Sequence, residues 1–579
     1  MDKHDIKIYP RFNRQFFQDL WGLIKPYWCS NERTKATLYL VVNLLCSFCG
    51  LFASVALNNI TKTMFDALSA FNKSLLISSS LEFLAMAVLI FFCAGYGAYF
   101  SGLLSMHWQK WLTNQTLQKW LAEHSHYKMH WLEQQIDNPD QRIAEDLGAL
   151  PMLTLKIFFL LLNSLGSFIA FSVILWRLSS SFPLIIGNIH LTVPGYLFFS
   201  ATLYGILGLW IIGLIGKKLA QFEYRQQLFS ADFRARLIRI REFGEQVSLF
   251  RGESVEINKC AVLFEKIYQN FLRANYLRKN LLFFTIGFEI LTQIVGIFLA
   301  MPLFLAKKVQ YGGMMQISGA FVSVVRAFSN IMDAFGSLAE LKAVVYRLTE
   351  FNKAITLANT YEQDGLLSQI IDEPVMQIDS LKIEYFDGNA MLSVNNVFFK
   401  SPHRYLITGV SGLGKSTFLK TVLGLWPHAS GHIYRPGLDS IFMLPQRSYL
   451  PEGTLREVLS YPHQELFSDE QLIYWLQQVE LDAFIHRLDE VANWALILSL
   501  GQQQLIGFIR LFLQKPQIIC LDESTSALDE FNQQKMYNLI RDLFPTSCVI
   551  SIGHRSSLKS LHDYEFKINN KELVALEVC

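Results

Sequence analysis

The glycine-rich segment GVSGLGKST, which begins at Gly409, constrains the fold more than any other feature of the chain. Its glycines allow a loop between a strand and a helix to turn its backbone N–H groups toward phosphate oxygens, and the N-terminal end of the helix adds positive charge. A lysine and two hydroxyl side chains then suit the β- and γ-phosphates and a magnesium ion. The predicted nucleotide contacts in this loop are Gly409, Ser411, Gly412, Gly414, Lys415, Ser416 and Thr417.

Five further elements follow this loop in a fixed order. They are Gln446, the run LSLGQQQ from Leu498, the run ICLDE that ends at Glu523, the run SALD from Ser526, and His554. One such element can arise by chance in a long chain, but the ordered set is not expected to. The set predicts a complete ATP-hydrolysing domain.

Each downstream element has a predicted chemical role. Residues 517–520 form an apolar run typical of a buried parallel strand, and ligands bind at the carboxyl ends of such strands. Asp522 is predicted to hold Mg²⁺ together with Ser416 and Gln446, and Glu523 to orient or deprotonate the attacking water. Gln446 and His554 are predicted to sense the γ-phosphate. The alternative for His554 is an ordinary core histidine.

Composition places much of the chain in a membrane. Hydrophobic residues make up 51% of the 579 residues and charged residues only 17%, which is unusual for a soluble protein. The net charge of +2 gives no reason to expect a nucleic-acid partner. The eight cysteines are scattered, so free thiols are expected, and Cys46 with Cys49 is predicted to serve packing rather than metal binding.

Six apolar runs are long enough to cross a bilayer. They lie near residues 36–57, 83–104, 155–175, 195–215, 281–305 and 313–337, and the last is the most polar. Most lysines and arginines fall in the connections 107–153 and 217–279, which predicts that both termini and the ATPase domain are cytoplasmic. Because the connection 217–279 is helical in pattern and lacks proline, the fourth and fifth spans should continue as long helices beyond the membrane.

The N-terminal segment shows no secretory signal, since charged and aromatic residues precede the first apolar run without a cleavage site. Aromatic and aliphatic residues recur there at helical spacing, among them Phe16, Trp21 and Ile24, with basic residues between them. This pattern predicts an amphipathic helix on the inner membrane surface. The alternative is a helix that packs on protein.

The domain boundaries follow from changes in composition. Residues 1–351 are predicted to form the transmembrane domain, 352–374 a polar and irregular linker, and 375–579 the nucleotide-binding domain, whose first strand begins near Met376. Tyr385 or Phe386, about thirty residues before Lys415, is placed to stack on adenine. The alternative for each is a surface aromatic without a ligand.

The run LSLGQQQ resembles the signature LSGGQ of ATP-binding cassette (ABC) proteins. In that family the signature of one subunit caps the γ-phosphate bound by another, so the resemblance implies that Ser499, Gly501 and Gln502 complete a site in a partner. Asp529, at the end of SALD, is a further predicted nucleotide contact. Because the chain carries one cassette, it resembles a half-transporter that works as a homodimer. Leu500 replaces a signature glycine, which is a mild departure. Leu505 stands where an arginine is frequent, and loss of that arginine is expected to affect the turnover rate but not nucleotide binding.

Several longer segments narrow this resemblance. DNPDQRIAED from Asp137 and ADFRARLIRIREFGEQVSLFRGE from Ala231 look like the SbmA/BacA-type membrane domain. LPQRSYLPEGTLREVLSYP from Leu444 resembles bacterial half-transporters in which that domain is fused to a cassette, the YddA-like group and a mycobacterial cobalamin and peptide transporter. Peroxisomal fatty-acyl-CoA transporters are more distant relatives.

The resemblance implies a six-helix exporter-type transmembrane domain followed by an α/β P-loop ABC nucleotide-binding domain, in a bacterial inner membrane, with ATP and Mg²⁺ as cofactors. It also implies that residues 138–143 lie in a cytoplasmic connection that touches the cassette. The alternative for Asn138-Pro139-Asp140 is an ordinary helix start.

Cargo is predicted from ionisable residues in the spans, which usually face a cavity or a partner. The candidates are Glu289, Arg326, Asn330 and Asp333. Such a stripe suits a hydrophilic cargo such as cobalamin or peptides, whereas an internal pair of Arg326 with Glu289 is the alternative. Export of lipid-like or acyl cargo and an ATP-gated channel remain competing functions, although an intact Glu523 favours turnover.

Overall fold

The structure is a computed structural model of the chain, and it describes residues 13–131, 138–179, 184–186, 189–191, 194–360, 365–463 and 467–576. The chain forms two compact units. The membrane unit contains residues 1–118 and 136–353, and the cassette unit contains residues 119–135 and 354–579.

Long helices form the membrane half of the chain. Its elements are α1 (Arg14–Trp28), α2 (Arg33–Ser69), α3 (Lys73–Leu121), 3₁₀ turns at Ala122–His124 and Met129–Trp131 on either side of α4 (Ser125–Lys128), α5 (Pro139–Gln141), a π turn at Arg142–Asp146, α6 (Leu147–Ser179), a hairpin of β1 (Leu184–Ile186) and β2 (Ile189–Leu191), α7 (Tyr196–Glu242), α8 (Gly244–Leu249), α9 (Glu253–Leu305) and α10 (Tyr311–Thr360).

Five helical segments among the described residues are long and apolar enough to cross a membrane, and they contain the first five predicted spans. The sixth predicted span lies within the 50-residue helix α10, which is not among those five. The prediction that the fourth and fifth spans continue as long helices is confirmed: α7 runs from the fourth apolar run on to Glu242, and α9 begins at Glu253, well before the fifth apolar run.

Helix α1 packs on protein along one face. Phe16 and Tyr27 are fully buried, and the Tyr27 ring stacks on Trp108 of α3 with ring centres 5.2 Å apart. Phe17 and Trp21 remain exposed. The alternative interpretation therefore holds for one face of this helix, and the predicted membrane contact concerns the other face.

The segment that follows α5 is tied to α10 inside the membrane unit. Asp146, which is buried, accepts hydrogen bonds from Arg142 at 3.1 Å and from Arg347 Nε at 2.8 Å. Asn138 precedes α5 in the left-handed conformation, with φ of 51° and Pro139 as the first helical residue. Asp137 lies outside the described residues, and the contact of 138–143 with the cassette stays a prediction.

The cassette alternates strands and helices. Its elements are β3 (Leu366–Ile370), β4 (Val375–Glu384), β5 (Ala390–Lys400), β6 (Arg404–Thr408), α11 (Lys415–Val422), β7 (Ala429–Arg435), β8 (Ile441–Leu444), β9 (Gly453–Thr454), α12 (Leu455–Ser460), α13 (Asp469–Gln478), β10 (Val491–Ala492), α14 (Trp494–Ile497), α15 (Leu500–Gln514), β11 (Ile518–Asp522), α16 (Glu530–Leu543), β12 (Cys548–Ile552), β13 (Tyr564–Asn569) and β14 (Glu572–Leu576), with 3₁₀ turns at Leu438–Ser440, Asp482–Arg487 and Ser556–Leu561.

The main sheet of the cassette has the strand order β3-β7-β4-β5-β14-β13-β6-β12-β11-β8. Strands β6, β12, β11 and β8 are parallel neighbours, in agreement with the predicted P-loop α/β fold. The two strands β11 and β12 are buried on both faces, since every one of their residues is buried.

The predicted irregular linker differs from the structure. Helix α10 continues through Thr360, and β3 already occupies Leu366–Ile370. The helix continues because Phe351, Ala354, Ile355 and Ala358 recur at helical spacing and are buried. Residues 361–364 lie outside the described residues, and the proposed domain boundaries stay a prediction.

Candidate active site

The parallel register of four strands brings the predicted site loops to one edge of the sheet. Asp522 at the end of β11 pairs with Ile552 of β12, which pairs in turn with Ile407 of β6. Beyond these strand ends come the glycine-rich loop after β6, Glu523 after β11, His554 after β12 and Gln446 after β8. The arrangement follows from strand order, because carboxyl ends of parallel strands share an edge.

The glycine-rich loop has the conformation that its glycines permit. Gly409, Gly412 and Gly414 have φ of 152°, 87° and 88°, where other residues are strained. A Cβ at Gly414 would also lie 2.8 Å from the sulfur of Met391. Lys415, which begins α11, donates from Nζ to the carbonyl oxygens of Gly409 at 2.9 Å and Val410 at 3.0 Å. The ammonium group therefore lies inside the loop, where phosphate oxygens would also be bound.

The surroundings of Lys415 favour the binding of an anion. Burial lowers the pKa of Lys415, and the Glu523 and Asp522 carboxylates oppose that shift. A buried ammonium group without a full counter-charge favours a bound anion such as a triphosphate. Ser411 and Thr417 flank the lysine in the loop and in α11, and their predicted phosphate contacts stay a prediction.

Ser416 and Asp522 form the predicted magnesium pair. The Ser416 hydroxyl donates to Asp522 Oδ1 at 2.9 Å. Burial raises the pKa of the Asp522 carboxyl, the Ser416 hydrogen bond opposes this shift, and the neighbouring Glu523 adds to it. A bound divalent cation would offset the cost of this buried charge.

Glu523 lies at the centre of the predicted catalytic residues. Its Oε2 accepts a hydrogen bond from Gln446 Nε2 at 3.0 Å, and its Oε1 lies 3.3 Å from His554 Nε2. Its backbone is held in the left-handed region with φ of 46°, which is unusual for a glutamate. His554 is exposed rather than buried in the core, which disfavours the alternative of a core histidine. Three predicted residues that are distant in sequence thus meet around one carboxylate.

The donor set fits magnesium and ATP. One hydroxyl, one buried carboxylate and an adjacent amide provide the hard oxygen ligands that Mg²⁺ prefers, with room for water and phosphate oxygens. Among the described residues no group of three or more His, Cys, Asp or Glu side chains could hold a metal ion by itself.

The two candidate adenine-binding aromatics have different surroundings. Phe386 stacks on Trp131, with ring centres 5.1 Å apart and planes 17° apart, and it also contacts Trp426 at 5.2 Å. Both side chains are exposed, Tyr385 by 41% and Phe386 by 53%, and the Tyr385 backbone N–H donates to the Asn389 carbonyl oxygen. Because the Phe386 ring already has aromatic partners, Tyr385 is the better candidate for the adenine contact.

Trp131 belongs to the segment that connects α3 to α5, and sequence reasoning missed it. It packs against the core of the cassette, and its ring also lies 5.0 Å from Trp426. In the same segment Ser125 donates to Asn359 near the end of α10. The only sequence signal was a tryptophan in a polar connection, which does not indicate its partner.

The signature run begins α15. Ser499 caps this helix: its hydroxyl accepts from the Gln502 N–H, and the Gln502 side chain accepts from the Ser499 N–H at 3.0 Å. A Cβ at Gly501 would lie 3.0 Å from the Ala527 carbonyl oxygen, so the glycine permits close packing. Asp529 caps α16 by accepting from the Asn532 N–H at 2.7 Å. Each of these residues therefore has a structural role besides the predicted nucleotide contact.

Within the described part of the chain, no hydrogen bond or ion pair joins residues 499–502 to the loop 409–417. The structure brings together the loop, Asp522, Glu523, Gln446 and His554. The signature run lies beside Gln446, with which Leu500 lines a small cavity, but it makes no such contact with the loop. One chain thus carries two separate parts of the predicted site.

Gln504 joins several site loops, and sequence reasoning missed this role. Its Nε2 donates to the Gln446 carbonyl oxygen at 3.1 Å and to Ser526 Oγ at 3.2 Å, while its Oε1 accepts from the Ala527 N–H at 3.0 Å. Arg555 similarly donates to the Ser526 and Leu528 carbonyl oxygens. The third glutamine of LSLGQQQ was the visible signal for Gln504.

The two leucines that depart from the usual signature pattern differ in burial. Leu505 is buried in the apolar cluster around α15, so its side chain contributes packing where an arginine would place a charge. Leu500 is 59% exposed.

The candidate cargo residues lie on α9 and α10. Arg326 Nη2 lies 3.0 Å from Glu289 Oε1, and both side chains are about 60% exposed, so the internal pair exists. Arg326 and Asn330 also line a cavity of about 370 Å³, together with Asn58 of α2. The side chain of Asp333 lies outside the described residues.

Comparison with known families assigns both halves of the chain. Residues 23–305 match the family model described as ABC transporter transmembrane region 2, and residues 394–526 match the one described as ABC transporter.

Similar proteins span nearly the whole chain. The inner membrane ABC transporter ATP-binding protein YddA of Escherichia coli is 29% identical over 93% of this chain and 95% of its own. An uncharacterised ABC transporter ATP-binding protein of Synechocystis is 30% identical over 80% of this chain and 70% of its own. The human lysosomal cobalamin transporter ABCD4 is 26% identical over 96% of both chains.

A solved structure supports the fold. A bacterial Atm1-family ABC exporter with ATP bound matches 93% of this chain and 94% of its own with a TM-score of 0.71 at 18% identity. The fold and the site therefore define a membrane-bound transport ATPase. The chain belongs to the ABC transporter family, as a half-transporter of the kind that includes YddA and the ABCD proteins. The predicted fold class, family and ATP-binding transport activity are thus confirmed.

Proposed function

We propose that the protein works as a homodimer that hydrolyses ATP, with Mg²⁺, to move a hydrophilic solute across the bacterial inner membrane. The observation that carries the homodimer is that, among the described residues of one chain, no hydrogen bond or ion pair joins residues 499–502 to the loop 409–417. A second copy can supply the missing half of each site, and two identical chains would then form two composite sites.

Bound ATP supplies the free energy, and the residues of this chain direct its hydrolysis. Lys415 and the loop amides would hold the phosphates, while Ser416 and Asp522 would hold the cation. Glu523 would take a proton from the attacking water, a role supported by the contacts of its carboxylate with Gln446 and His554. These roles are proposals that the geometry supports.

The homodimer is tested with mixed dimers that carry two different affinity tags. Lys415→Ala in one subunit and Ser499→Ala in the other places both changes in one composite site and spares the second. Both changes in a single subunit affect both sites. The first arrangement should therefore retain ATP hydrolysis and the second should lose it, with the two single-variant homodimers as controls. Equal rates for the two arrangements would contradict shared sites.

A hydrophilic cargo is supported by the cavity that contains Arg326 and Asn330. The name of ABCD4 gives cobalamin as the cargo of that relative, and cobalamin or peptides are the proposed class here. An apolar cavity of about 320 Å³ between α6 and α10, lined by residues such as Leu165, Phe168 and Phe328, favours the alternative of a lipid-like or acyl cargo.

Arg326 separates these cargo proposals. If Arg326 contacts a hydrophilic cargo, Arg326→Leu should abolish the cargo-dependent stimulation of ATP hydrolysis, measured as the ratio of stimulated to basal rate across a panel of peptides, cobalamin and acyl compounds. If the arginine serves only its pair with Glu289, the variant should instead lose thermal stability, and the double variant with Glu289→Leu should recover it. Unchanged stimulation by peptides or cobalamin would contradict the hydrophilic-cargo proposal.

The proposal also covers the location of the protein in the inner membrane and the cytoplasmic orientation of its termini. YddA is named an inner membrane protein, and the basic residues of connections 107–153 and 217–279 favour cytoplasmic termini. An ATP-gated channel is less favoured, because Glu523, Ser499 and His554 are all present and turnover needs them.

A further inference from the structure

A second polar cavity lies between α2, α3 and α6, on helices that sequence reasoning had not connected with cargo. Its volume is about 400 Å³. Its polar lining consists of Asn43, Cys46, Ser47, Cys93, Lys156 and Asn163 together with serines. We call it the thiol pocket, and we call the cavity with Arg326 and Asn330 the arginine pocket. Each volume is in the range of about 300–1,000 Å³ that holds small molecules in proteins.

The two pockets are continuous in their lining. Ser54, Ile90 and Ser167 line both of them. Hydroxyl and amide side chains thus extend from Lys156 at one end to Arg326 at the other. A hydrophilic molecule could occupy both pockets at once.

The charged group that lines the thiol pocket is positive. Lys156 is the only Lys, Arg, Asp or Glu among the described residues that line it, and Lys156 is exposed. Among the described residues it has no ion pair and no hydrogen bond from its side chain, whereas Arg326 is paired with Glu289. The uncompensated positive charge of the two pockets therefore lies at Lys156.

A buried amide adds an independent indication of a ligand. Asn43 is only 3% exposed, and its Nδ2 has no hydrogen-bond partner among the described residues although it lines the thiol pocket. An unsatisfied buried donor is unfavourable. A Cβ at Gly97 would lie 3.4 Å from Asn43 Oδ1, so this glycine leaves space beside the amide. A ligand with an acceptor oxygen would satisfy the donor.

The arginine pocket offers the opposite hydrogen-bonding group. Asn58 donates from Nδ2 to the Gln316 carbonyl oxygen at 3.2 Å, but its Oδ1 is buried without a partner. This acceptor suits hydroxyl or amide N–H groups of a ligand. The two ends therefore recognise different parts of one molecule.

We propose that the thiol pocket is a cargo-binding site for the anionic group, a carboxylate or a phosphate, of a hydrophilic solute whose hydroxyl or amide N–H groups lie in the arginine pocket. Lys156 and the Asn43 amide bind the anion. This inference rests on the proposed transport function and names the class of its substrate. The same anionic chemistry could come from a phospholipid headgroup, and the experiment separates the two sources.

The test uses the two cysteines of the pocket as reporters. The full-length protein in phosphatidylcholine nanodiscs is treated with 2-sulfonatoethyl methanethiosulfonate, which is anionic, or with its trimethylammonium analogue, which is cationic. Peptide mass spectrometry measures the modification rate at Cys93 and Cys46. Cys260 of α9 is the internal control, since it is also half-buried but lines neither pocket.

The expected result is a ratio of anionic to cationic rate that is roughly tenfold higher at Cys93 than at Cys260, because one nearby charge attracts one reagent and repels the other. Lys156→Gln should remove this difference, and Lys156→Arg should preserve it and so control for folding. Equal ratios at Cys93 and Cys260 in the natural protein, or a ratio that Lys156→Gln leaves unchanged, would overturn the proposal.

Anionic lipid provides the second arm. In nanodiscs that contain phosphatidylglycerol the high ratio should persist, because the site is for a solute. Its loss there would show that a lipid phosphate occupies Lys156 and would overturn the cargo assignment. The proposed transport function is judged separately by the ATPase rate of the unmodified protein in the same nanodiscs, and its failure would leave the Cys93 ratio unaffected.

Discussion

Replacing Glu523 by Gln tests the centre of the proposed mechanism. The carboxylate has two neighbours, Gln446 Nε2 at 3.0 Å from one oxygen and His554 Nε2 at 3.3 Å from the other. The oxygen of a glutamine can still accept from Gln446, and its NH₂ group would face His554, so at most one contact is lost. One such contact is worth about 0.5–1.5 kcal/mol. Loss of a general base typically costs a factor of roughly 10²–10⁴, or about 3–5 kcal/mol of activation free energy.

The chemical effect should therefore exceed the structural one. We expect steady-state phosphate release by Glu523→Gln to fall by roughly 10²–10⁴-fold, while binding of radiolabelled ATP persists and closed dimers accumulate. Glu530→Gln is the matched control, because Glu530 is an exposed residue in the first turn of α16. An ATPase rate within about tenfold of the natural protein would refute the assignment of Glu523 as the base.

Two further predictions concern the cassette. Burial lowers the pKa of His562 to about 4, so the folded state binds fewer protons than the unfolded state and about 3 kcal/mol of stability should be lost as the pH falls from 6.5 to 4. His562→Gln should flatten this dependence in the ATP-sensitive thermal transition of the full-length protein, and parallel pH profiles would contradict the prediction. Trp131 joins the connection between α3 and α5 to the core of the cassette, and Trp131→Ala removes three aromatic contacts worth about 0.5–1.5 kcal/mol each. We therefore expect cargo transport to fall while basal ATP hydrolysis persists, and Trp131→Phe to restore much of the transport. Equal transport by the Ala variant would contradict a role of this contact in transport.

The parts of the site that depend on short stretches of sequence were the ones that could be predicted. Each of the main site elements follows directly after one strand, so a short stretch of sequence is enough to identify it. These elements are the glycine-rich loop, Asp522 with Glu523, and His554. Their convergence follows from the parallel register. The backbone strain at Glu523 was not predictable, because a glutamate with φ of 46° is held there by its surroundings.

Contacts between distant segments left no comparable signal. The periodicity of α1 shows an apolar face, but it does not show that Phe16 and Tyr27 are covered by protein while Trp21 is exposed. Trp131 is similar, since its partners Phe386 and Trp426 are far away in sequence. Such pairs depend on tertiary packing, which one sequence does not reveal.

The contacts of Trp131 and of Gln446 lie at opposite ends of the proposed nucleotide site, and this placement gives them different roles. Phe386, the partner of Trp131, is next to Tyr385, where we expect adenine, and adenine is unchanged by hydrolysis. Gln446 contacts Glu523, where we propose that the γ-phosphate is cleaved. Because a ligand shifts a conformational equilibrium only through contacts that differ between states, the Trp131 contact can report that nucleotide is bound but not that it has been hydrolysed. We therefore expect ADP and ATP to shift the conformational equilibrium equally through the Trp131 contact. Only the contact between Gln446 and Glu523 should distinguish the two nucleotides.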